Sequence, residues 1–491
     1  MKNKWKEKNR AKRRKIIDLN KRVRDLESSR DSFKDENERL RAEIDKLSKK
    51  NTEQTKIIES LNQQLKKTSQ KISDFENDIK RYWYTMMLIL NLLKMKLETS
   101  ASFRAAAATA YIFELYNNEN GKKLTHTTVL NWVLKLGYYQ LTRPKEKAND
   151  WVILLDYSIQ ISSQKVFVVL GIRQSKIDFN RPLIFNDMEP LLISVKEKWN
   201  GEIICEEILK LQKQIGKIIY SVGDYGTDIK KGLILAKIPH VYDITHQIAA
   251  IIKNLYQKDE RYIALTSTLA TMRKQFLLSA YGYLAPNQQR EKSRFANIKS
   301  VSEYGKNLIN FLDNISAFKN SECFSKKELR EAREKFSWIY EHDEIINELI
   351  MVNEAICSIQ KTVKTYGLSQ KTIKNCLKIL QRLSMPKGVE MTEILKKYFK
   401  ASLKLVKVKT ILATSDILES AFGKYKNYIS NNPMIGITNI VLSIAAFTSD
   451  LSKEIIKEAL ENTRIADVLE WSEENIGNTQ FKKRLIAFST P

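Results

Sequence analysis

Glycine and proline are scarce in this chain, with 15 and 8 among 491 residues, and neither occurs in the first 80 positions. Both residues interrupt helices, glycine through its backbone freedom and proline through its missing N–H group. Their absence excludes a turn-rich segment at this end of the chain. The first 80 residues are therefore predicted to form one long helix.

Cysteine and long apolar runs are also scarce. The four cysteines have no Cys-x-x-Cys spacing, which excludes a disulfide framework and a zinc site and fits a reducing compartment. The longest apolar run, Tyr82–Leu93, is interrupted by Asn91 and is too short to cross a bilayer. The basic first residues have no apolar stretch behind them, unlike a secretory signal. We therefore expect no membrane partner and a cytoplasmic location.

Acidic residues are too few to balance the basic ones. Asp and Glu number 57 against 83 Lys and Arg, which gives a net charge of +26. Such an excess predicts a polyanionic partner, with nucleic acid the first candidate and a membrane surface the second. A lysine-rich composition that only keeps the protein soluble is the alternative.

The glycine-free segment carries a heptad repeat. With Ile16 at position a, 14 of the 19 a and d positions through residue 79 are apolar, which predicts a coiled coil. Asn37 and Asn51 occupy a positions, where paired amides favour an in-register parallel dimer. We therefore predict a homodimer or higher oligomer. The alternative is a single helix folded back on the body of the protein.

Nine basic residues and only one acid, Glu7, precede this repeat in residues 1–15. A basic helix that runs into a zipper resembles a bZIP arm, although the residues that read bases in such arms are not recognisable. We therefore predict phosphate contacts, with Arg13 and Arg14 among them. A solvated tail is the alternative.

Residues 99–143 are predicted to form short helices, Ala101–Tyr116 and Thr125–Leu136. Thr125 is placed to cap the second helix and Gly137 to end it. That helix has an apolar face and a polar face, as in a helix-turn-helix recognition helix. The apolar face has Val129, Trp132, Val133 and Leu136, and the polar face has Thr127, Thr128, Asn131 and Lys135. The polar face is predicted to contact DNA, although an ordinary surface helix has the same pattern.

Strand-like runs begin after Pro144. The predicted strands are Trp151–Tyr157, Lys165–Gly171, Leu191–Val195, Lys217–Val222 and His240–Thr245. The predicted helices among and after them are Glu202–Gln214, Gly226–Leu235 and Ser415–Ser430, with an almost wholly helical stretch from about 247 to 405. Three strands, a helix, a strand, a helix and a fifth strand is the order of an RNase H-like domain.

Two acids follow apolar strands in this pattern. Asp156 ends the first predicted strand and Asp224 follows the fourth, and these strands are neighbours in an RNase H-like sheet. Two buried carboxylates repel each other unless a cation lies between them, and hard oxygen ligands suit Mg²⁺. Glu419, in the motif SDILESAFGKYK, is the candidate third ligand of a site for two ions, Mg²⁺ or Mn²⁺. The alternatives are backbone bonding at a strand end for Asp156, helix capping for Asp224, and a capping box with Asp416 for Glu419.

The motifs LLDYS, SVGDYGTDIKKG, YDITH and SDILESAFGKYK resemble those of bacterial insertion-sequence DDE transposases whose RNase H-like core is split by a large helical insertion. YDITH, with Asp243 and His246, is similar to the [C/D]-x-x-H signature of hAT-like enzymes. The resemblance implies structural roles near the site for both residues, with metal ligation as the alternative for His246. The resemblance implies DNA-backbone contacts for Lys424 and Lys426. The resemblance also implies that Trp338 stacks on a base of the DNA, for which packing in the core is the alternative.

The predicted fold class is therefore multidomain α/β and helix-rich. The predicted parts are a basic arm (1–15), a coiled coil (16–80), a helix-turn-helix-like region (81–148), an RNase H-like core (149–248 and 409–491) and an all-helical insertion (249–408). The predicted function is metal-dependent cleavage and strand transfer of double-stranded DNA, acting on transposon ends and a target, in the bacterial nucleoid. The alternatives are a catalytically dead, transposase-derived DNA-binding protein and a structure-specific nuclease.

Overall fold

The computed structural model describes residues 2–77, 84–113, 124–161, 164–289, 297–320, 322–429 and 436–489. It divides into two compact units, Met1–Met86 and Met87–Pro491. The described residues are largely helical and contain a five-stranded mixed sheet, so the predicted helix-rich α/β fold class is confirmed.

The first unit contains one helix, α1, Lys2–Asn77, as the lack of glycine and proline predicted. Its a and d side chains are exposed wherever side chains are described; Leu40 and Leu47, for example, are 51% and 59% exposed. The Asn37 amide Nδ2 donates to the Phe33 carbonyl within the helix, at 2.9 Å. An apolar seam in water is unfavourable, so pairing of two such helices remains the prediction.

The double substitution Leu40→Asp and Leu47→Asp is expected to reduce the protein from a dimer to a monomer. Both side chains lie at d positions, where charge would be buried in a paired helix. Ala42→Asp with Lys49→Asp is the matched control, because both residues lie at f positions facing solvent. Light scattering measures the mass; equal masses for the two double variants would refute the coiled coil.

The second unit is organised around the sheet. Its strands are β1 (Ala148–Ile161), β2 (Gln164–Arg173), β3 (Glu189–Lys196), β4 (Gly216–Gly223) and β5 (His240–Tyr242). The strand order is β3-β2-β1-β4-β5. β1 pairs antiparallel with β2 and parallel with β4, while β2–β3 is antiparallel and β4–β5 parallel. β1 and β4 are neighbours, as predicted for an RNase H-like sheet.

One face of the sheet is the main apolar core. Alternation along β1 turns Trp151, Ile153 and Leu155 toward the helices α5, Gly201–Ile215, and α6, Thr227–Leu235. All three side chains are almost fully buried. Burying each aliphatic side chain contributes about 1.5–3 kcal/mol, so this face fixes the register of β1.

The opposite face carries the other alternate residues of β1, which are Val152, Leu154 and Asp156. On this side the Tyr220 hydroxyl of β4 accepts a hydrogen bond from the Leu412 backbone N–H at 2.9 Å. Leu412 lies in the segment that leads into the later helix α14, Asp416–Ile429, which contacts β1. The side chain of Asp156 is thereby turned toward the part of the chain that carries Glu419.

Among the described residues, three helices follow α1 along the chain and precede the sheet: α2 (Met86–Glu98), α3 (Phe103–Ile112) and α4 (His126–Thr142). Thr125 caps α4 as predicted, since its side chain accepts from the Thr128 N–H. The prediction that Gly137 ends this helix was wrong, because α4 continues to Thr142. Glycine is needed at position 137 inside α4, because a Cβ there would be 2.1 Å from the Leu442 carbonyl oxygen.

No helix among the described residues is long and apolar enough to cross a membrane.

Between β5 and α14 most of the described residues are helical, as predicted for residues 247–405. The helices are α7 (Ile244–Tyr256), α8 (Glu260–Phe276), α9 (Ile298–Asp313), α10 (Lys326–Phe336), α11 (Asp343–Tyr366), α12 (Gln370–Leu380) and α13 (Pro386–Leu405). After α14 follow α15 (Ser443–Phe447), α16 (Lys453–Asn462), α17 (Ile465–Asn475) and α18 (Gln480–Ser489). The five domain boundaries drawn from the sequence remain predictions.

Charged side chains join the helices of the insertion. Asp259 caps α8 by accepting from the backbone N–H groups of Arg261 and Tyr262. Its carboxylate also pairs with Lys387 of α13 and with the Arg261 guanidinium. Arg261 in turn contacts Glu348 of α11 at 2.9 Å. These pairs hold the pKa of Asp259 at about 2, against the opposing effect of burial.

Among the strand ends that differ from the prediction, two lie next to predicted site residues. β1 extends to Ile161 because it pairs antiparallel with β2 as far as Ile161 and Gln164. Asp156 therefore lies inside β1 rather than at its end. β5 stops at Tyr242, where the prediction continued to Thr245, because Asp243 caps α7 by accepting from the Thr245 and His246 N–H groups. A capping carboxylate starts a helix where the apolar pattern alone suggested a strand.

Candidate active site

Asp156 lies in β1, and Asp224 lies directly after the neighbouring strand β4. The parallel pairing of β1 with β4 matches Val152 with Tyr220 and Leu154 with Val222. Asp156 lies two residues after Leu154, and Asp224 lies two residues after Val222. Both acids are therefore on the face of the sheet opposite α5 and α6. Parallel neighbours are about 5 Å apart, so this register brings the two carboxylates into each other's field.

Asp224 follows β4 directly, as the sequence predicted. The preceding Gly223 lies so close to β1 that a Cβ would be 2.6 Å from the Leu155 carbonyl oxygen, which explains glycine at that position. The Asp224 carboxylate accepts from the Gly226 N–H at 3.0 Å, just ahead of α6. This turn holds the side chain at the end of β4 and differs from the capping role that was the alternative, because Gly226 itself is the N-cap.

His240 supports Asp224 from behind, and the sequence analysis missed it. Its ring Nε2 lies 2.9 Å from the Asp224 carbonyl oxygen, and its Nδ1 lies 2.9 Å from the Ser221 hydroxyl. Burial lowers the pKa of His240. The neutral ring therefore donates from Nε2 to Asp224 and accepts at Nδ1. The only sequence signal was a histidine at the start of an apolar strand, which does not reveal this contact.

Glu419 lies in the first turns of α14 and faces His246 of α7. His246 Nε2 is 2.9 Å from Glu419 Oε1, and both side chains are partly exposed. This hydrogen bond is the main cause that raises the pKa of His246 to about 9 and lowers the pKa of Glu419. Oε2 of Glu419 has no hydrogen-bond partner among the described residues, so one carboxylate oxygen is left for another ligand.

Asp243 joins the two helices that carry this pair. Its side chain is fully buried, and one oxygen accepts from the backbone N–H groups of Thr245 and His246. The other oxygen accepts from the backbone N–H and the hydroxyl of Ser415, at 2.6 and 3.0 Å. One carboxylate therefore fixes the start of α7 to the start of α14. The structural role predicted for Asp243 has this geometric basis.

The ionised form of the Asp156 carboxyl group is destabilised by its surroundings. Burial first, and then the negative charge of Asp224, raise the pKa of Asp156 to about 7, and Glu419 adds to the rise. One oxygen accepts the Tyr157 N–H at 2.6 Å, and the carboxylate has no other hydrogen bond among the described residues. Asp224, Glu419 and His246 all contribute to the pKa of Asp156, so their charges act on the same carboxylate.

The donor set fits a hard divalent cation. In the described part of the chain, no three His, Cys, Asp or Glu side chains are already arranged as a metal cluster. The carboxylates of Asp156 and Asp224 nevertheless repel each other, and a cation relieves that repulsion. Together with the uncommitted oxygen of Glu419, they provide the carboxylate ligands that Mg²⁺ prefers.

The capping-box alternative for Glu419 does not match the structure. α14 begins at Asp416, and the Ser415 carbonyl accepts from the Leu418 and Glu419 N–H groups, so Ser415 is the cap residue. Asp416 forms an ion pair with Lys364 of α11 and accepts from the Thr245 hydroxyl at 3.3 Å. Asp416 thus links the insertion to α14 and is not a simple helix cap.

The two lysines after Glu419 have different surroundings. Lys426 is exposed and lowers the pKa of Glu419 through its charge, as a smaller contribution after that of His246. Lys424 instead donates to the Leu97 carbonyl at 3.1 Å and lies over the rings of Phe185 and Phe447. The structure therefore leaves Lys426 accessible for the predicted DNA contact and commits Lys424 to internal contacts.

The predicted recognition helix is embedded in the second unit. α4 buries Leu134 against Leu442 and Val468 in addition to its predicted apolar face. Of the residues predicted to contact DNA, Thr127 is exposed, and Thr128, Asn131 and Lys135 are partly buried. The exposed surface is thus narrower than a free recognition helix offers, and DNA contact by α4 stays a prediction.

The remaining predicted contacts lie elsewhere. Arg13 and Arg14 are exposed on α1. Trp338 is partly buried within the insertion, 6.2 Å from the His342 ring, and its indole N–H has no partner among the described residues. The contact of Trp338 with His342 fits packing. Base stacking by Trp338 stays a prediction.

Comparisons with known proteins are sparse. No family profile and no curated protein matches the chain. One solved structure that matches is the Drosophila P element transposase strand transfer complex, at 12% identity and a TM-score of 0.38, over 80% of this chain and 100% of that chain. A TM-score this low is not evidence for a shared site. The resemblance to bacterial insertion-sequence enzymes therefore remains a prediction.

Proposed function

We propose that the chain is a divalent-metal-dependent DNA transposase of the DDE type, which cuts the ends of an insertion sequence and joins them to target DNA. The observation that carries the proposal is the placement of Asp156 in β1 and of Asp224 directly after the neighbouring parallel strand β4, with Glu419 on α14, which contacts β1. The geometry of the chain supports the site, and the chemistry of carboxylates supports the cation.

Asp156, Asp224 and Glu419 are the residues that would hold Mg²⁺ or Mn²⁺. When bound, two such ions make an oxygen nucleophile at neutral pH and stabilise the leaving oxygen of the phosphodiester. Asp156 is positioned by β1, and Asp224 is positioned at the end of β4 by the hydrogen bond from the Gly226 N–H. Glu419 comes from a helix whose start is fixed by Asp243.

His246 has a positioning role in this proposal. It holds Glu419 by Oε1 alone, which orients the carboxylate and leaves Oε2 toward the ligand position. The positive charge that accompanies its raised pKa also offsets part of the negative charge of the three acids. His240 and Gly226 fix the backbone and side chain of Asp224 in the same way.

DNA is the proposed substrate because the chain carries a net charge of +26. Neutralising phosphates releases condensed cations, and that release supplies most non-specific affinity for DNA. Lys426 places a cation beside Glu419, and residues 1–15 add a basic arm on α1. The proposed oligomer would bring two ends together through paired α1 helices.

The test incubates the full chain with a supercoiled plasmid that carries the element's two ends, in Mg²⁺, in Mn²⁺ and in EDTA. We expect nicked and then joined products with either metal, and none with EDTA. Nicks without joined ends would indicate a structure-specific nuclease. Intact plasmid in both metals, with DNA bound, would indicate a catalytically dead DNA-binding protein and refute the proposal.

A further inference from the structure

Two tyrosines form a parallel stack beside the acids. Tyr225 follows Asp224 directly, and Tyr242 precedes Asp243 at the end of β5. Their ring centroids are 4.1 Å apart and the rings are within 5° of parallel. The ring of Tyr242 also faces that of His246, at 6.5 Å and 26°. A row of three rings therefore leads from the partner of Glu419 to Tyr225.

The stack is both held in place and open to solvent. Tyr225 is 46% exposed, although it lies only two residues after a buried strand. The backbone carbonyl of Tyr242 accepts from the Tyr398 hydroxyl at 2.6 Å, and the backbone before Tyr225 is held by His240. A large aromatic side chain half in water gains little from packing. Its fixed position next to Asp224 suggests that it contacts a ligand.

A cation lies next to the same ring. Lys230 Nζ is 5.2 Å from the centroid of the Tyr225 ring, and Lys230 is exposed. Among the described residues it has no ion pair with an acid. An aromatic surface with an adjacent lysine is the pair of features that binds a nucleotide of a single strand, where the base stacks and the phosphate meets the cation.

We propose that Tyr225, backed by Tyr242, stacks on an unpaired base next to the phosphate that is cut, and that Lys230 contacts the neighbouring phosphate. This rests on the proposed DNA-cleaving function of the acids beside it. Stacking accepts any base, so the platform holds the strand without reading its sequence. A paired base inside a duplex presents no free face, so the strand must open at this point.

The test uses the full chain, with Ca²⁺ as the metal, and a duplex with a three-nucleotide single-stranded end that carries 2-aminopurine at one position at a time. We expect wild type to quench one position strongly. Tyr225→Phe should bind within about twofold of wild type, and Tyr225→Ala roughly 5- to 150-fold more weakly with the quenching lost. Tyr225→Leu should also lose quenching, because it keeps apolar bulk without an aromatic face.

Tyr283→Ala is the matched control, since Tyr283 is 50% exposed and lies in the helical insertion. It should bind and quench like wild type. Quenching by Tyr225→Leu or Tyr225→Ala equal to that of wild type would overturn the platform. If wild type quenches the base but never nicks DNA in Mn²⁺, the platform stands and the cleavage proposal falls. If wild type does not bind this DNA, both fall.

Discussion

Asp156→Asn is expected to stabilise the metal-free protein and to abolish its cleavage activity. Burial and the charge of Asp224 raise the pKa of Asp156 to about 7, so the folded chain at pH 8 contains an unfavourable anion that the unfolded chain solvates freely. Removing that charge should add about 2 kcal/mol to the free energy of unfolding, after allowance for partial exposure. The loss of a ligand should reduce cleavage on the order of 10³-fold or more.

The same shift predicts how stability depends on pH. Between about pH 4 and 7 the folded state keeps a proton on Asp156 that the unfolded state has lost, so the stability of the metal-free wild type contributed by this group falls as pH rises. Thermal unfolding in EDTA at pH 5 and pH 8 measures this. We expect Asp156→Asn to raise the midpoint by roughly 2–4 °C at pH 8 and by much less at pH 5.

Asp228→Asn is the control, because Asp228 is a nearby acid in the first turn of α6. It should leave cleavage near normal and change stability by no more than about 0.5 kcal/mol. An Asp156→Asn variant that is less stable than wild type at pH 8, or that cuts DNA normally, would contradict the assignment of Asp156.

Asp243→Ala should cause the largest loss of stability of any single change near the site. The substitution leaves four donors in a fully buried place without their acceptor, on the N–H groups of Thr245, His246 and Ser415 and the Ser415 hydroxyl. Such a loss costs about 3–5 kcal/mol. Chemical denaturation measures it. Cleavage should also be lost, because His246 and Glu419 are no longer fixed relative to each other.

Asp259→Ala separates the two effects of that change. Asp259 caps α8 and pairs with Lys387 and Arg261, so its loss should also destabilise the protein by about 3 kcal/mol. It lies in the insertion and takes no part in the acid cluster. At a temperature where both variants are folded, Asp259→Ala should cut DNA and Asp243→Ala should not. Equal activities would show that Asp243 only stabilises the fold.

The strands and their order along the chain were predictable because their signals are local. Alternating or continuous apolar runs mark strands, and an acid after such a run, as with Asp224, stands out against its neighbours. Glu419 was recognisable from its motif and from the helix that starts at a polar cap. The long helix α1 followed from the absence of glycine and proline over tens of residues.

The contacts that assemble the site were not predictable in the same way. The carboxylate of Asp243 meets Ser415 across more than 170 residues, and its capping of α7 overrode the strand pattern that ran to Thr245. Gly137 carries a stop signal, yet the backbone at Leu442 needs the space that glycine leaves. These outcomes depend on which distant segment packs against each residue, and no local pattern contains that information.

The most direct test of the metal site measures Mn²⁺-dependent nicking and DNA binding by wild type and by three single variants, Asp156→Ala, Asp224→Ala and Glu419→Ala. Asp228→Ala is the control. Asp416 is not suitable as a control, because it pairs with Lys364 and its replacement would disturb α14. The account predicts comparable losses of nicking in the three variants, no further loss when two are combined, and nearly unchanged DNA binding. Near-normal nicking by one variant would remove that residue from the site, and near-normal nicking by all three would contradict the central claim.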